Sequence, residues 1–174
     1  HWPMVPTPDS PEWKNPADRN DEEVRFVKDM IEYMDKCVGR IVTKVDELGL
    51  AEDTLILFYS DNGTHLKVTS QTKTGPVAGG KGEMTDAGTH VPFIARWKGH
   101  IPSGVSDEMV CTIDLAASFA SMVEVELPAE ACIDSFNVSA ALLGEMNAKG
   151  REHLIQQDNG SSGTFGLRVG DWKL

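Results

Sequence analysis

Asp61 and Asn62 are the residues of this sequence whose types and position most directly suggest chemistry. They follow the apolar run 54–59 and precede Gly63, so a predicted strand delivers a carboxylate and a side-chain carbonyl to a glycine turn. Oxygen donors at such a point suit a hard cation such as calcium or magnesium. The alternative is that Asp-Asn-Gly is only a favourable turn after a buried strand, and other residues must decide between the two.

Lys81 is a second candidate, because glycines flank it on both sides. With Gly80 and Gly82 beside it, the backbone can approach a ligand closely, and the ammonium can act as a point charge for an oxyanion. The spacing of a phosphate-binding P-loop is missing, so a nucleotide site is not indicated. A solvated lysine in a flexible loop is the alternative for this segment taken by itself.

The elements that must position these residues can be predicted from hydrophobic periodicity. Apolar residues recur at three- and four-residue spacings over 21–48, which predicts a long amphipathic helix. The nearly unbroken apolar run 54–59 predicts a strand buried on both faces, as in a parallel sheet. Residues 64–83 are polar and rich in glycine without periodicity, so we expect a long loop there.

The remaining elements complete the prediction of an α/β fold. A second strand is predicted over 90–97, short helices over 111–123 and 138–143, and an alternating strand over 164–174. We therefore expect a partial, doubly wound and mostly parallel sheet flanked by helices.

Composition narrows the classes of function. The chain of 174 residues carries a formal net charge of −11 and no basic run, which argues against nucleic-acid binding. No apolar run is long enough to span a membrane, and no signal-peptide pattern is visible, so the sequence does not assign a compartment. The three cysteines form no CxxC pair, which argues against a disulfide framework or a zinc cluster.

Several short motifs, taken in order, resemble the later part of the catalytic domain of type I sulfatases, within the alkaline phosphatase superfamily. The motifs are His1-Trp2-Pro3, Ser60-Asp61-Asn62-Gly63, Gly80-Lys81-Gly82, Val91-Pro92-Phe93-Ile94 and Arg168-Val169-Gly170-Asp171-Trp172-Lys173-Leu174. The resemblance implies an alkaline phosphatase-like fold, incomplete here, in which residues 1–148 form the C-terminal part of the catalytic domain. Residues 149–174 then begin the smaller C-terminal subdomain, with its antiparallel sheet.

The resemblance also implies roles for individual residues. Asp61 and Asn62 match the metal-binding pair that holds calcium together with two aspartates from an earlier part of the family's chain. Lys81 matches the lysine that contacts a sulfate oxygen and the ester oxygen, and His1 matches the histidine of the His-x-Pro segment, which reaches the sulfate. Either cation can protonate the departing alkoxide. Asparagine at position 62 is similar to the calcium-dependent sulfatases rather than to relatives that act on phosphate esters.

Some positions depart from the family pattern. Asp86 stands where many relatives have glutamate and His90 where many have arginine, and both are candidates to support the residues that contact the sulfate. The family nucleophile is formylglycine, made from cysteine or serine in a Cys/Ser-x-Pro/Ala-x-Arg pattern, and no cysteine or serine of this sequence fits that pattern.

Two functional readings remain open from the sequence. In the first, the chain is part of a sulfatase, periplasmic or secreted, that hydrolyses sulfate esters, and it is inactive alone because the calcium site is incomplete and the formylglycine is absent. In the second, it is a non-catalytic folded remnant that binds a partner or self-associates through an uncovered sheet edge.

Overall fold

The computed structural model describes residues 3–160 and 163–174, and these residues form two compact units. The first unit takes in the described residues up to Thr54 together with Ser60–Pro92. The second unit consists of Leu55–Tyr59 and Phe93–Leu174. Across the described ranges, no helix combines the length and the apolar character needed to cross a membrane. The boundary predicted between residues 148 and 149 remains a prediction.

In the first unit the order is two 3₁₀ turns, a long helix, a hairpin and one further helical turn. Their bounds are Pro11–Lys14, Asp18–Asn20, α1 (Phe26–Glu47), β2 (Thr69–Thr72), β3 (Gly75–Ala78) and α2 (Asp86–Thr89). The second unit contains two small sheets and two short helices. Their bounds are β1 (Ile56–Tyr59), β4 (Phe93–Arg96), a 3₁₀ turn at Thr112–Asp114, α3 (Leu115–Met122), α4 (Ser139–Leu142), β5 (His153–Gln157), β6 (Phe165–Val169) and β7 (Trp172–Lys173).

Helix α1 confirms the predicted amphipathic helix but begins later, at Phe26, and ends before Gly49, whose φ of 71° suits glycine. Phe26 is buried and anchors the start of the helix. The apolar stripe beyond it is half-buried or exposed, with Ile31 at 55% and Ile41 at 60% exposure. Phe26 is therefore the buried anchor of the helix, and the described residues cover the rest of its apolar face only in part.

An irregular N-terminal segment packs along the first turns of α1. The hydroxyl of Ser10 donates a hydrogen bond of 2.8 Å to the Asp29 carboxylate, and Ser10 itself is buried. The ammonium of Lys36 lies 2.7 Å from a carboxylate oxygen of Asp9. Met4 is also buried, and its carbonyl accepts a hydrogen bond from the N–H of Glu23. The proline-rich segment is thus ordered against the helix by buried polar and apolar contacts.

The predicted loop over 64–83 contains a hairpin that the sequence did not indicate. Strands β2 and β3 pair in antiparallel register from Thr69 opposite Ala78 to Thr72 opposite Gly75. All but Gly75 of the eight strand residues are exposed, so neither face carries an apolar row. A period-two hydrophobic signal was therefore missing, because this hairpin does not pack on a core.

The core of the second unit lies between α3, α4 and the β1–β4 pair. Its buried members are Leu115, Val138 and Leu142. Partly buried apolar side chains pack against them: Leu57, Phe93, Val110 and Met122. Phe119, on α3, is instead 40% exposed, so the apolar face of α3 is narrower than its sequence suggests.

Every strand ladder among the described residues is antiparallel, in sheets of two, two and three strands. The mostly parallel sheet predicted around 54–59 is therefore not found there. Strand β1 pairs with β4, from Ile56 opposite Arg96 to Tyr59 opposite Phe93. A parallel pair needs a crossover that returns the chain to the same edge. The intervening 60–92 segment contains only a hairpin and one helical turn and forms part of the other unit, so β4 runs back along β1.

A buried ion pair connects separate segments of the second unit. Arg151 Nη1 lies 2.6 Å from Asp114 Oδ1, and the two side chains are 6% and 0% exposed. The Asp114 carboxylate also accepts hydrogen bonds from the N–H groups of Cys111 and Phe136. The Arg151 guanidinium stacks 4.4 Å from the centre of the Phe136 ring. The buried carboxylate thus accepts three hydrogen bonds, and the cluster stabilises the junction of α3 with the segment before β5.

Candidate functional site

The Asp61-Asn62 turn begins two residues beyond the end of β1 and is held through its backbone. The Ser60 hydroxyl donates a hydrogen bond of 2.8 Å to the carbonyl of Asn62. The N–H of Gly63 donates one of 2.9 Å to the carbonyl of Gly88. Asp61 is exposed and Asn62 half-buried. The backbone of the turn is therefore fixed at both ends, while the Asp61 side chain faces solvent.

Glycine is required where this turn crosses the segment around α2. A Cβ on Gly63 would collide with the carbonyl oxygen of Ala87, and one on Gly88 would collide with the carbonyls of Glu83 and Gly80. Real Cβ atoms do not approach backbone oxygen so closely, so any larger residue must push the two segments apart. The crossing brings residues 25 positions apart in sequence into backbone contact.

The Lys81 loop is tied to the same crossing. The N–H of Lys81 donates a hydrogen bond of 3.0 Å to the carbonyl of Thr64, the residue after Gly63. Gly80, next to Lys81, is buried, and a Cβ there would lie 2.8 Å from the Thr85 hydroxyl. The structure therefore places the two sequence-predicted segments, 61–63 and 80–82, on one backbone scaffold within the first unit.

Three candidate side chains on this scaffold, those of Asp61, Asn62 and Lys81, are not used to hold it together. Within residues 3–160 and 163–174, the Asp61 carboxylate, the Asn62 amide and the Lys81 ammonium take part in no hydrogen bond or ion pair. Packing and capping use the backbone here rather than these side chains. Such an arrangement leaves two oxygen donors and one cation free for a ligand.

The donor chemistry at Asp61 and Asn62 fits a hard cation, since both offer oxygen atoms. Calcium takes about six to eight oxygen ligands, so two residues account for only part of a coordination shell. Among the described residues, no group of three or more His, Cys, Asp or Glu side chains is placed to hold a metal ion. The two residues therefore offer the kind of ligand atom that calcium prefers, but too few of them to complete its coordination shell.

Asp86 and His90 lie on the helical turn α2 that carries Gly88. Asp86 is its first residue, and its carbonyl accepts a hydrogen bond of 2.9 Å from the N–H of His90. Thr85 precedes the turn, and its carbonyl accepts from the N–H of Gly88 at 2.9 Å. Both candidate side chains thus belong to the scaffold, though each is exposed. The remaining candidate, His1, lies outside the described residues.

Sequence reasoning found the candidate side chains but missed the residues that hold them. The hydrogen bond from Ser60 and the forbidden Cβ positions at Gly63 and Gly88 appear only in the structure. The signal that could have found them is the recurrence of glycine, at 63, 79, 80 and 88, in segments otherwise lacking hydrophobic periodicity.

Comparison with known proteins gives a consistent result. The sulfatase family model matches residues 1–125. An N-acetylgalactosamine-6-O-sulfatase from Bacteroides thetaiotaomicron is 31% identical over 155 residues, covering 83% of this chain and 30% of that protein. Arylsulfatase A from Homo sapiens is 32% identical over 149 residues, covering 83% and 29%. The chain thus spans about three tenths of the length of these relatives.

A solved structure agrees with the sequence comparisons. The crystal structure of a sulfatase from Pseudoalteromonas sp. superposes with a TM-score of 0.67 at 30% identity, covering 90% of this chain and 31% of that chain. The described mixture of helices and small antiparallel sheets is therefore part of a sulfatase-like fold.

Proposed function

The chain belongs to the sulfatase family, and we propose that it supplies one side of an active site that hydrolyses sulfate esters. Asp61 and Asn62 hold calcium in this proposal, and Lys81 and His1 contact the sulfate. The strand β1 joins a larger, mostly parallel sheet in the complete enzyme. The observation that carries the proposal is the glycine crossing, which ties the Asp61-Asn62 turn and the Lys81 loop together by backbone contacts.

The charges of these residues suit sulfate chemistry. Bound calcium would offset negative charge on the sulfate group, with Asp61 and Asn62 as two of its ligands. Lys81 has three N–H donors on a flexible stem and can contact both a sulfate oxygen and the ester oxygen. Lys81 or His1 then donates a proton to the departing alkoxide, which makes that oxygen a better leaving group. Asp86 and His90 support this arrangement from the turn α2.

Substitution at Lys81 tests the proposal in the full protein that carries this chain. We expect Lys81→Ala to lower kcat/KM for nitrophenyl sulfate about 100- to 1,000-fold, because one donor to a developing negative charge is lost. Lys98→Ala is the matched control, since Lys98 is an exposed lysine in the other unit. Equal activity of the Lys81 variant and the control would remove Lys81 from the mechanism.

Substitution at Asp61 tests the calcium site separately. We expect Asp61→Ala to weaken calcium binding in isothermal titration and to lower activity, because a charged ligand is lost. Asp107→Ala, at an exposed aspartate of the other unit, is the control. Calcium affinity that is unchanged by the Asp61 substitution would contradict the assignment.

The 174 residues alone should not hydrolyse nitrophenyl sulfate, because they contain no formylglycine pattern. The nucleophile is in this proposal a formylglycine of the complete enzyme. The measurement is a colorimetric assay with the purified chain and added calcium. Turnover above the uncatalysed rate would show that the proposed division of the active site is wrong.

A second candidate function is self-association, which one observation favours. The face of the β5–β6–β7 sheet that carries the odd-numbered residues of β5 and β6 is apolar and exposed. Its members include Ile155, Phe165, Leu167, Val169, Trp172 and Leu174, the last two being 79% and 86% exposed. Contiguous exposed apolar surface of this kind is typical of an interface.

Sedimentation velocity tests this second function. We expect a concentration-dependent dimer that Trp172→Ser converts to monomer, because the largest exposed ring leaves the patch. Val105→Ser, at a residue 97% exposed and outside this sheet, is the control. A monomer at all concentrations would leave the enzymatic proposal as the only one.

A further inference from the structure

The hairpin β2–β3 is built into the same scaffold as the candidate site. Val68, just before β2, is buried, and its carbonyl accepts a hydrogen bond of 2.8 Å from the N–H of Gly79, just after β3. Two residues further on, Lys81 is bonded to Thr64. The base of the hairpin is therefore closed directly beside the point where the Lys81 loop meets the Asp61-Asn62 turn.

The rest of the hairpin projects away from this base. Apart from Gly75, its strand residues are exposed, so they pack on nothing in the described chain. Four residues per strand at about 3.3 Å each give a projection of roughly 13 Å. This projection starts directly beside the candidate site, at the closed base of the hairpin.

The side chains on the hairpin are suited to hydrogen bonding. Thr69, Ser70 and Gln71 offer two hydroxyls and an amide, and Lys73 adds a cation at the turn. None of these four side chains has a hydrogen bond or ion pair within the described ranges. The hairpin carries no aromatic ring, and its apolar side chains are those of Pro76, Val77 and Ala78. Thr69 and Gln71 share one face of the hairpin and Ser70 lies on the other. The face with Thr69 and Gln71 matches a polyhydroxylated group and offers little to a sterol or an aromatic ring.

The tip of the hairpin is ordered before any ligand binds. The Thr72 hydroxyl donates a hydrogen bond of 2.7 Å to the carbonyl of Gly75 and accepts one from the N–H of Thr74. These bonds fix the turn around Lys73 and Thr74, so binding need not order it. The cation at Lys73 also gives an otherwise acidic chain a local attraction for an anionic ligand.

From these observations we propose that the hairpin 69–78 binds the carbohydrate part of the substrate, so that the sulfate ester hydrolysed is a sulfated sugar. The inference rests on the proposed function, because the sulfate must bind beside Lys81. Gln71 and Lys73 are the residues expected to determine this specificity, through the amide and the ammonium. A site that hydrogen-bonds a sugar discriminates against analogues that lack the hydroxyl groups.

The test compares two substrate classes in the full protein that carries this chain. The sugar probes are galactose 6-sulfate, N-acetylgalactosamine 6-sulfate and glucosamine 6-sulfate, and the reference is nitrophenyl sulfate. For Gln71→Ala and Lys73→Ala, we expect the ratio of kcat/KM for the best sugar to that for nitrophenyl sulfate to fall at least about tenfold, since each loses a polar contact to the sugar. Thr43→Ala, on the exposed side of α1, is the control and should leave the ratio unchanged.

Each outcome bears on the inference. A fallen ratio with an unchanged melting temperature supports it. An unchanged ratio overturns it, and so does wild-type enzyme that hydrolyses nitrophenyl sulfate but none of the sugar sulfates. A uniform loss with both substrate classes shows a structural role for the hairpin and also overturns it. If Lys81→Ala has no effect on any substrate, the proposed function itself is wrong and the inference falls with it.

Discussion

Two regions of this chain, one in each unit, use polar groups in opposite ways. Around Asp61 and Lys81, the backbone makes the connections and the charged side chains remain available. Around Asp114 and Arg151, the charged side chains are buried and make the connections themselves. The first arrangement holds a candidate site in place without using the side chains proposed to bind a ligand. The second uses its charged side chains to hold segments of the chain together.

This difference separates two kinds of charged residue that look alike in sequence. Asp61 follows β1 by two residues and Asp114 directly precedes α3, so each lies next to the end of a regular element. Only burial and partners distinguish them, because a buried charge must be paired whereas an exposed one need not be. Substitutions in the two regions should therefore affect different measurable quantities.

The largest expected effect is on the buried pair. Arg151→Ala should lower the free energy of unfolding by about 3–5 kcal/mol, because it leaves the Asp114 carboxylate buried without its partner. Urea denaturation measures this loss. Lys149→Ala, which breaks an ion pair to Glu108 with side chains 82% and 31% exposed, is the control and should cost less than about 1 kcal/mol. Equal losses would erase the contrast between buried and exposed charges.

The next effect is at the glycine crossing. Gly88→Ala should destabilise the first unit by about 1–3 kcal/mol, because the added Cβ collides with backbone oxygens that cannot move independently. Gly39→Ala, within α1 and with nothing within 4 Å of its Cβ, should instead stabilise by about 0.5–1 kcal/mol. Thermal unfolding compares the two. An unchanged melting temperature for Gly88→Ala would mean that the two backbone segments lie further apart than in this structure.

A smaller effect is expected from acid. The N–H of Gly150, and then the ammonium of Lys149, hold the pKa of Glu108 below its usual value. A carboxyl whose pKa is lowered in the folded state contributes stability above its unfolded pKa of about 4.3, and that contribution is lost as the pH falls through the folded value. Glu108→Gln should therefore show a weaker loss of melting temperature between neutral and acidic pH. An identical pH profile would show that these bonds do not persist in solution.

The smallest effect on stability should come from the candidate site itself. Asp61→Ala is expected to change the free energy of unfolding by less than about 0.5 kcal/mol, because the side chain makes no contact that packing depends on. The measurement is urea denaturation without added calcium, with Asp107→Ala as reference. A large loss would place Asp61 among the structural charges and remove the distinction between the two regions.

The sequence predicted well those elements whose signal is local. Helix α1 lies within the predicted 21–48, and β1 and β4 lie within the predicted strands, because apolar spacing reports directly on burial. The strand predicted over 164–174 is instead two strands joined at Gly170, whose φ of 53° permits the reversal. A glycine within an alternating run was the available sign of that turn.

Other features depend on contacts that a single sequence does not reveal. Strand β5 and the hairpin lie in polar stretches that give no hydrophobic signal. Alternate residues of β5 are exposed, and all strand residues of the hairpin except Gly75 are exposed. The antiparallel pairing of β1 with β4 depends on how the 60–92 segment returns, which periodicity does not encode. For the candidate site, the types of Asp61, Asn62 and Lys81 were readable, while the backbone bonds that unite them were not.

The hydrogen bond that closes the hairpin between Val68 and Gly79 also has an evolutionary consequence. Because the base is sealed there, residues can be added to or removed from the tip in pairs without disturbing the Lys81 loop. The segment can therefore vary in length and composition among related proteins while the Asp61-Asn62 turn and the Lys81 loop stay in place.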